Sequence, residues 1–459
     1  MRISIALAVA GVACAAAGQT TPERPAIGFN RWQEDWSVLA DPDLRTEPFD
    51  ALKYIPLAAG DPASYLSFGA DLRERYEAND APLFGTGKNR DQHYVLQRAQ
   101  IHADLHPDAH WQVFLQLEDD IAPGKKPILP VDKSPPDIRQ AFVTYDTGFA
   151  DGDLKIRVGR QEMAFDLQRF VSVRDGPNVR QAYDAVWANW TNEQWRVISF
   201  WSQPVQYRDT QSIDDVSNSR LQYGGFRVER KNVGPGSLTA YYSRYEADGA
   251  HFLDAAGNER RDNFDIRYAG QWRGLDWDYE EMTQTGHVGT KSILAWAVGS
   301  RTGYTLGELP WTPRLGIQAD AASGDTKPRG GTLGTFNPLF PNGYYVTLSG
   351  YTGYTNFIHL KPSVTVAPER KLTVMVATGL LWRETAADAV YVQPNIPVAN
   401  TAGHGDLWTG LYEQLRIDWT MTKNLSSAVE AVHFQIGDSL RAAGGRDSDY
   451  LGVELRFGW

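Results

Sequence analysis

From about residue 65 onward, apolar and polar residues alternate with a period of two over long runs, the signature of extended strands with two unlike faces. Leu66, Phe68, Ala70, Leu72 and Tyr76 share one face, and Ser67, Asp71, Arg73, Arg75 and Glu77 the other. The same split sets Val95, Ala99, Ile101, Ala103 and Leu105 against Leu96, Arg98, Gln100, His102 and Asp104. It returns with Phe264, Ile266, Tyr268 and Trp272 against Asp265, Arg267, Gln271 and Arg273. Only Gly274 separates that run from Leu275, Trp277 and Tyr279 against Asp276, Asp278 and Glu280, as in a hairpin with a tight turn. Leu372, Val374, Val376, Leu380 and Trp382 form another long apolar face, whereas 137–146 and 424–436 can be read in either phase.

Soluble β-sandwiches and β-propellers also alternate. Two features separate this chain from them. Its runs reach about 10–14 residues, nearer the ~9–11 that cross a bilayer obliquely than the ~5–6 usual in soluble sheets. The chain also ends on an alternating strand, with Leu451, Val453, Leu455, Phe457 and the terminal Trp459 on one face and Tyr450, Glu454 and Arg456 on the other. A last strand ending on an aromatic resembles the signal read by the barrel assembly machinery, and such a strand must pair with the first to close the sheet.

The pattern predicts an all-β fold, a transmembrane antiparallel β-barrel. Dividing the residues beyond the amino-terminal arm by roughly 22 per strand with its share of turns gives about 18 strands, within a range of about 16–20. Long loops, extracellular or folded into the pore, are expected at 122–136, 323–356 and 385–405. The glycines and small polar residues of 323–356 suit an adaptable lid more than a packed element. Three segments follow. Residues 1–17 read as a secretory signal, with Arg2, an apolar run and Ala15-Ala16-Ala17; 18–62 as a polar, Pro-rich arm; 63–459 as the barrel. Cys14, the one cysteine, lies in the signal, and a lipoprotein reading of 11–14 stands beside it.

Composition supports this picture. Aromatic residues make up 12% of the chain, with Trp 15, Tyr 21 and Gly 42, yet mean hydropathy is −0.42. Large rings combined with overall polarity suit strands that face lipid on one side and water on the other. Beyond residue 17 no apolar stretch is long enough for a spanning helix. The net charge of −11 argues against a nucleic-acid partner.

Enzymatic motifs are missing: there is no Gly-x-Ser-x-Gly elbow, phosphate-binding Gly-x-x-x-x-Gly-Lys, His-Glu-x-x-His or cysteine pair. His102, His106 and His110 are four apart, which would suit a metal on a helix. On a strand four residues span about 13 Å, too far for a shared ion, so no metal or cofactor is assigned. Glu118-Asp119-Asp120 reads as a solvated acidic strand end rather than a calcium site, and Asp276, Asp278 and Glu280 as wet pore lining.

The densest chemistry is at 155–180, where six Lys or Arg face three acidic residues, a local +3 in a negative chain. Such a cluster can make a positive constriction that attracts carboxylates and grips them with guanidinium forks. It can equally pair with Glu162, Asp166 and Asp175 to stiffen the wall. Arg160 has the parity of Ile156 and Val158, so either the strand ends near Gly159 or a bulge turns it inward.

Val-Gly-Arg-Gln-Glu at 158–162 with Val-Ser-Val-Arg-Asp-Gly-Pro-Asn-Val-Arg at 171–180 resembles the signature of the alginate export family of outer-membrane proteins. Trp32 to Trp36, Arg45 to Phe49, Leu52 to Pro56, Ala322 to Asp325 and Gly331 to Pro341 agree with it. The resemblance implies an outer-membrane barrel of about 18 strands with an arginine-rich conduit for a polyuronate. Carried over by residue, the conduit candidates are Arg98, Arg139, Arg157, Arg160, Arg174 and Arg180; Arg73 and Arg456 join them because their parity points inward. The expected partners are an anionic saccharide or other anionic solute, outer-membrane lipid, and the assembly machinery through Trp459. A general or organic-anion uptake porin is the alternative on the same barrel, and a barrel enzyme the third reading.

Overall fold

A computed structural model describes residues 24–86 and 90–459; the expected signal at 1–17, with Cys14, lies outside them. Eighteen strands, each antiparallel to the one before, close into a barrel. In chain order they are β1 (Tyr65–Asp80), β2 (Gln92–His106), β3 (Trp111–Ile121), β4 (Ser134–Phe149), β5 (Gly152–Glu162) and β6 (Ala182–Thr191). Next come β7 (Trp195–Gln206), β8 (Leu221–Val233), β9 (Gly236–His251), β10 (Ala256–Trp272), β11 (Leu275–Val288) and β12 (Lys291–Thr305). The last six are β13 (Arg314–Ala322), β14 (Phe357–Glu369), β15 (Leu372–Trp382), β16 (Trp408–Thr420), β17 (Leu425–Ile436) and β18 (Ser448–Gly458). β18 pairs with β1 from Asp71 opposite Gly458 to Asp80 opposite Asp449, so the sheet has no free edge.

The period-two pattern has its expected cause. Ile101, Val158, Phe264 and Leu294 stand outward and exposed, while their polar neighbours Arg98, Gln100, Arg157 and Gln284 are buried inside. Among the described residues no helix is long and apolar enough to cross a membrane. The two ambiguous runs have distinct explanations. In β4 a register shift puts both Arg139 and Gln140 on the buried side, which breaks the alternation. In β17 the inward residues Val432, Phe434 and Ile436 are apolar because they pack on Phe84 and Leu440 inside the barrel rather than on water.

The two ends differ. One carries short turns, several of two residues; at 273–274 both Arg273 and Gly274 take the positive φ (48° and 87°) that a type I′ hairpin needs. The other carries the long loops 122–133, 163–181, 323–356 and 383–407. Two of these fold into the lumen and meet there. Val171 and Phe340 form a parallel bridge, with the Ser172 N–H donating to the Phe340 carbonyl (3.0 Å) and the Phe340 N–H to the Phe170 carbonyl (2.9 Å). The segment 323–356 is therefore a packed element, not an adaptable lid. Its aromatic rings decide the matter: Phe336, Phe340, Tyr345, Tyr351 and Tyr354 are all buried in one cluster with Phe170 and the inner wall.

The arm has three 3-10 turns and one helical turn, with Trp36, Leu39 and Tyr54 packed on Tyr65. It sits at the short-turn end. Arg31 fastens it there, donating to Asp71 of β1 (2.8 Å) and to the Trp459 carbonyl (2.8 Å).

Candidate functional site: an arginine row in the lumen

Closing the barrel brings three inward arginines into one row. Arg73 on β1 lies directly opposite Arg98 on β2 and, across the seam, directly opposite Arg456 on β18. Like charges in such register repel. The in-folded loop 163–181 supplies the compensation. Asp175 accepts from Arg98 (2.6 Å), Arg456 (2.5 Å) and, within the loop, Arg180 (2.9 Å), while its main-chain carbonyl accepts from Arg73 (3.0 Å). Burial pushes the Asp175 carboxyl up, but Arg456, Arg180, Arg98 and Arg73 outweigh it and hold the group well below the usual carboxylate range. Arg73, Arg98, Arg180 and Arg456 also line a cavity of about 340 Å³ that opens beside the 421–424 turn and the arm.

Acidic residues on the wall balance the row. Glu454 takes Arg73 (2.8 Å) and Arg456 (2.5 Å), and Glu118 takes Arg139 (2.8 Å). Glu118 and Asp120 are thus buried partners of Arg139 and Arg98 rather than a solvated strand end. Asp276, Asp278 and Glu280 do face inward, but paired with Arg314, Arg267 and Arg169 respectively. The three histidines are dispersed: His102 stacks on Phe114, His106 stacks on Tyr65, and His110 lies in a turn.

The other arginines singled out in the sequence stand apart from the row. Arg139 is fully buried between Glu118 and Asp215. Arg174, at a positive φ of 51°, lies over the Phe340 ring and donates to the Leu339 carbonyl (3.4 Å). Arg157 points inward among the rings of Trp32, Phe142 and Trp187. Arg160 keeps the outward parity of Val158. The register runs through Gly159 without a bulge and sets Arg160 opposite Asp184, which it binds at 2.9 Å beneath the loop that follows β7.

Three participants were not among the sequence candidates. Asp175 was visible only as a counter-ion, Glu454 only as an inward residue, and Arg169 only as one charge in a cluster. Arg169 ties the loop to the far wall through Glu280 and to the loop 323–356 through Tyr345. Most of their partners come from elements distant in sequence, so no local pattern announces the set.

The model of a family described as alginate export matches residues 64–454. The chain belongs to the alginate export family. No curated protein matches the sequence. Among solved structures this alginate export family barrel resembles Acinetobacter baumannii OccAB1 (TM-score 0.57, 12% identity, covering 89% of this chain and 99% of that one). It also resembles Pseudomonas aeruginosa OpdO (0.56, 11%, 86% and 97%) and P. aeruginosa OccK2 (OpdF) in complex with glucuronate (0.53, 10%, 86% and 96%). At such identities the likeness is one of fold. Family and barrel together make the protein an outer-membrane channel, whose short turns face the periplasm and whose long loops face outward.

Proposed function

We propose that the channel is a passive pore for anionic saccharides, polyuronate chains or their oligomers, and that the arginine row is the station at which their carboxylates are held. The observation that carries this reading is the register of Arg98, Arg73 and Arg456 with Arg180 around one cavity. A guanidinium fork matches a planar carboxylate, and a half-enclosed site strengthens the match over bulk water. Asp175 already occupies the place a solute carboxylate would take, so the site has the geometry of an anion exchanger, with a resident carboxylate yielding to a passing one. The glucuronate bound in the OccK2 structure belongs to the same chemical class.

Uptake of small organic anions is the second reading. The bridge between Val171 and Phe340 favours it, because crossing loops narrow the lumen toward single small solutes. In either case the outward apolar band meets outer-membrane lipid, and the last strand through Trp459 meets the assembly machinery.

Planar-bilayer recording tests the proposal. The pore should prefer anions in a salt gradient, and short alginate oligomers should block its current while neutral dextrins do not. Block by small carboxylates but not by alginate selects the uptake reading. A pore that prefers cations overturns both.

A further inference from the structure

Among the described residues, Arg157 is the one deeply buried arginine that meets neither a carboxylate nor a main-chain carbonyl. It is 2% exposed, yet among the described residues no carboxylate lies within 4.0 Å of it, and its Nη2 has no hydrogen-bond partner. Its one hydrogen bond is a long contact from Nε to the Thr144 hydroxyl (3.4 Å). The nearest acids are engaged elsewhere: Asp104 accepts from Gln112 and faces His106, and Asp146 pairs with Lys155. A buried cation without a counter-ion is costly.

Rings take the place of the missing anion. The guanidinium carbon lies 3.5 Å from the centre of the Trp32 ring, 4.5 Å from that of Phe142 and 5.4 Å from that of Trp187. Phe142 and Trp187 belong to the wall. Trp32 does not: it comes from the arm, so the ring that seals Arg157 from water is one the barrel wall does not itself supply. Trp32 is itself lightly held. Its carbonyl accepts from Gln112 (2.8 Å), and its ring touches Phe142 edge-on. Three residues earlier Phe29 repeats the motif, lying 4.0 Å over Arg180 of the site already described.

We infer that Trp32 is a displaceable cap over a second anion site at Arg157, on the periplasmic side of the arginine row, which takes the carboxylate of a uronate-type solute once the indole swings aside. The inference rests on the pore reading above. An unpaired guanidinium in a low-dielectric lumen has high intrinsic attraction for a carboxylate, and the cap sets how much of that attraction a solute meets. Stacking also suits the solute, since the wall rings that now flank the guanidinium would flank a sugar ring bound there.

The test uses the full-length channel in planar bilayers, with galacturonate as probe and galactose as neutral control. Trp32→Ala should lower the galacturonate concentration giving half-block about tenfold, the equivalent of one exposed-to-desolvated cation–π contact. Trp32→Phe, which keeps a smaller ring, should fall between. Adding Arg157→Gln to Trp32→Ala should abolish the gain. Heat-modifiable mobility on gels checks that each barrel is folded. If Trp32→Ala leaves half-block unchanged, or the gain survives Arg157→Gln, the cap is overturned while the pore reading stands. If galacturonate blocks no variant and the wild type prefers cations, the pore reading itself falls.

Discussion

Arg73 and Arg456 stand directly opposite each other across the seam where the first and last strands close the barrel. Two guanidiniums in register at a seam would open it by repulsion unless an anion lay between them. Glu454 binds both through its carboxylate, and Asp175, delivered by a loop from elsewhere in the chain, adds its carboxylate to Arg456 and its main-chain carbonyl to Arg73.

Removing the resident carboxylate should therefore sharpen selectivity. Asp175→Asn keeps an accepting oxygen but removes the negative charge that Arg98, Arg180 and Arg456 share, so the anion-to-cation permeability ratio should rise several-fold. Reversal potentials across a tenfold salt gradient measure it. An unchanged ratio would mean that these arginines lie off the ion path.

The same carboxylate sets an acid limit. Its folded-state value is depressed, so its contribution is complete above the unfolded value of about 3.9 and is lost as pH falls below that. Loop 163–181 should stay anchored from pH 8 to pH 5 and loosen below about pH 4. Single-channel noise should rise only in that acid range, and a rise near pH 6 would point to a different group.

Replacing 336–351 with a short Gly-Ser linker removes the partner of Val171 and most of the aromatic packing inside the barrel. Conductance should increase several-fold. The thermal transition should drop as well, because these residues are buried. A higher conductance with no loss of stability would show that the packing contributes little.

Arg160 should behave unlike its neighbours. Its partner is Asp184 on the outward side, so Arg160→Gln should cost about 1–2 kcal/mol in urea unfolding while leaving reversal potential unchanged. A selectivity shift comparable to that of Arg98→Gln would return Arg160 to the lumen.

Lys53 offers a test of arm docking. Its Nζ is buried without a hydrogen-bond partner, over the rings of Trp459 (4.6 Å) and Trp36 (5.0 Å). Burial, and after it the positive Arg31, pull the ammonium down to about 8 from an ordinary value of about 10.4. The docked arm thus releases this proton before the free arm does, so docking is weakest below about pH 8 and tightens as pH climbs toward 10.4. Protection of the arm from trypsin should follow that rise, and Lys53→Met should flatten it at a stability cost under about 1 kcal/mol or none.

The strands were legible in the sequence because their cause is local: each residue's side follows from its parity, and lipid and water sort the two faces. The long aromatic-ended terminal strand and the 158–180 motif carried the barrel and the family. The row itself was half legible. Parity turned Arg73, Arg98 and Arg456 inward, but their mutual register depends on how the seam closes, which no local pattern encodes. Arg157 was named for its charge, and its lack of a partner could not be foreseen. The loop 323–356 misled because its glycines suggest freedom, whereas its tyrosines and phenylalanines find a buried surface only when the barrel surrounds them.

The Arg31 contact carries a consequence about order in time. One of its acceptors belongs to the first strand and the other follows the last, so the full contact cannot form until β1 and β18 have paired. A segment ahead of the first strand must wait for the last one. Full docking of the arm is then a record of completed assembly, and a barrel stalled one strand short would hold its arm on β1 alone, with its periplasmic mouth open to proteases.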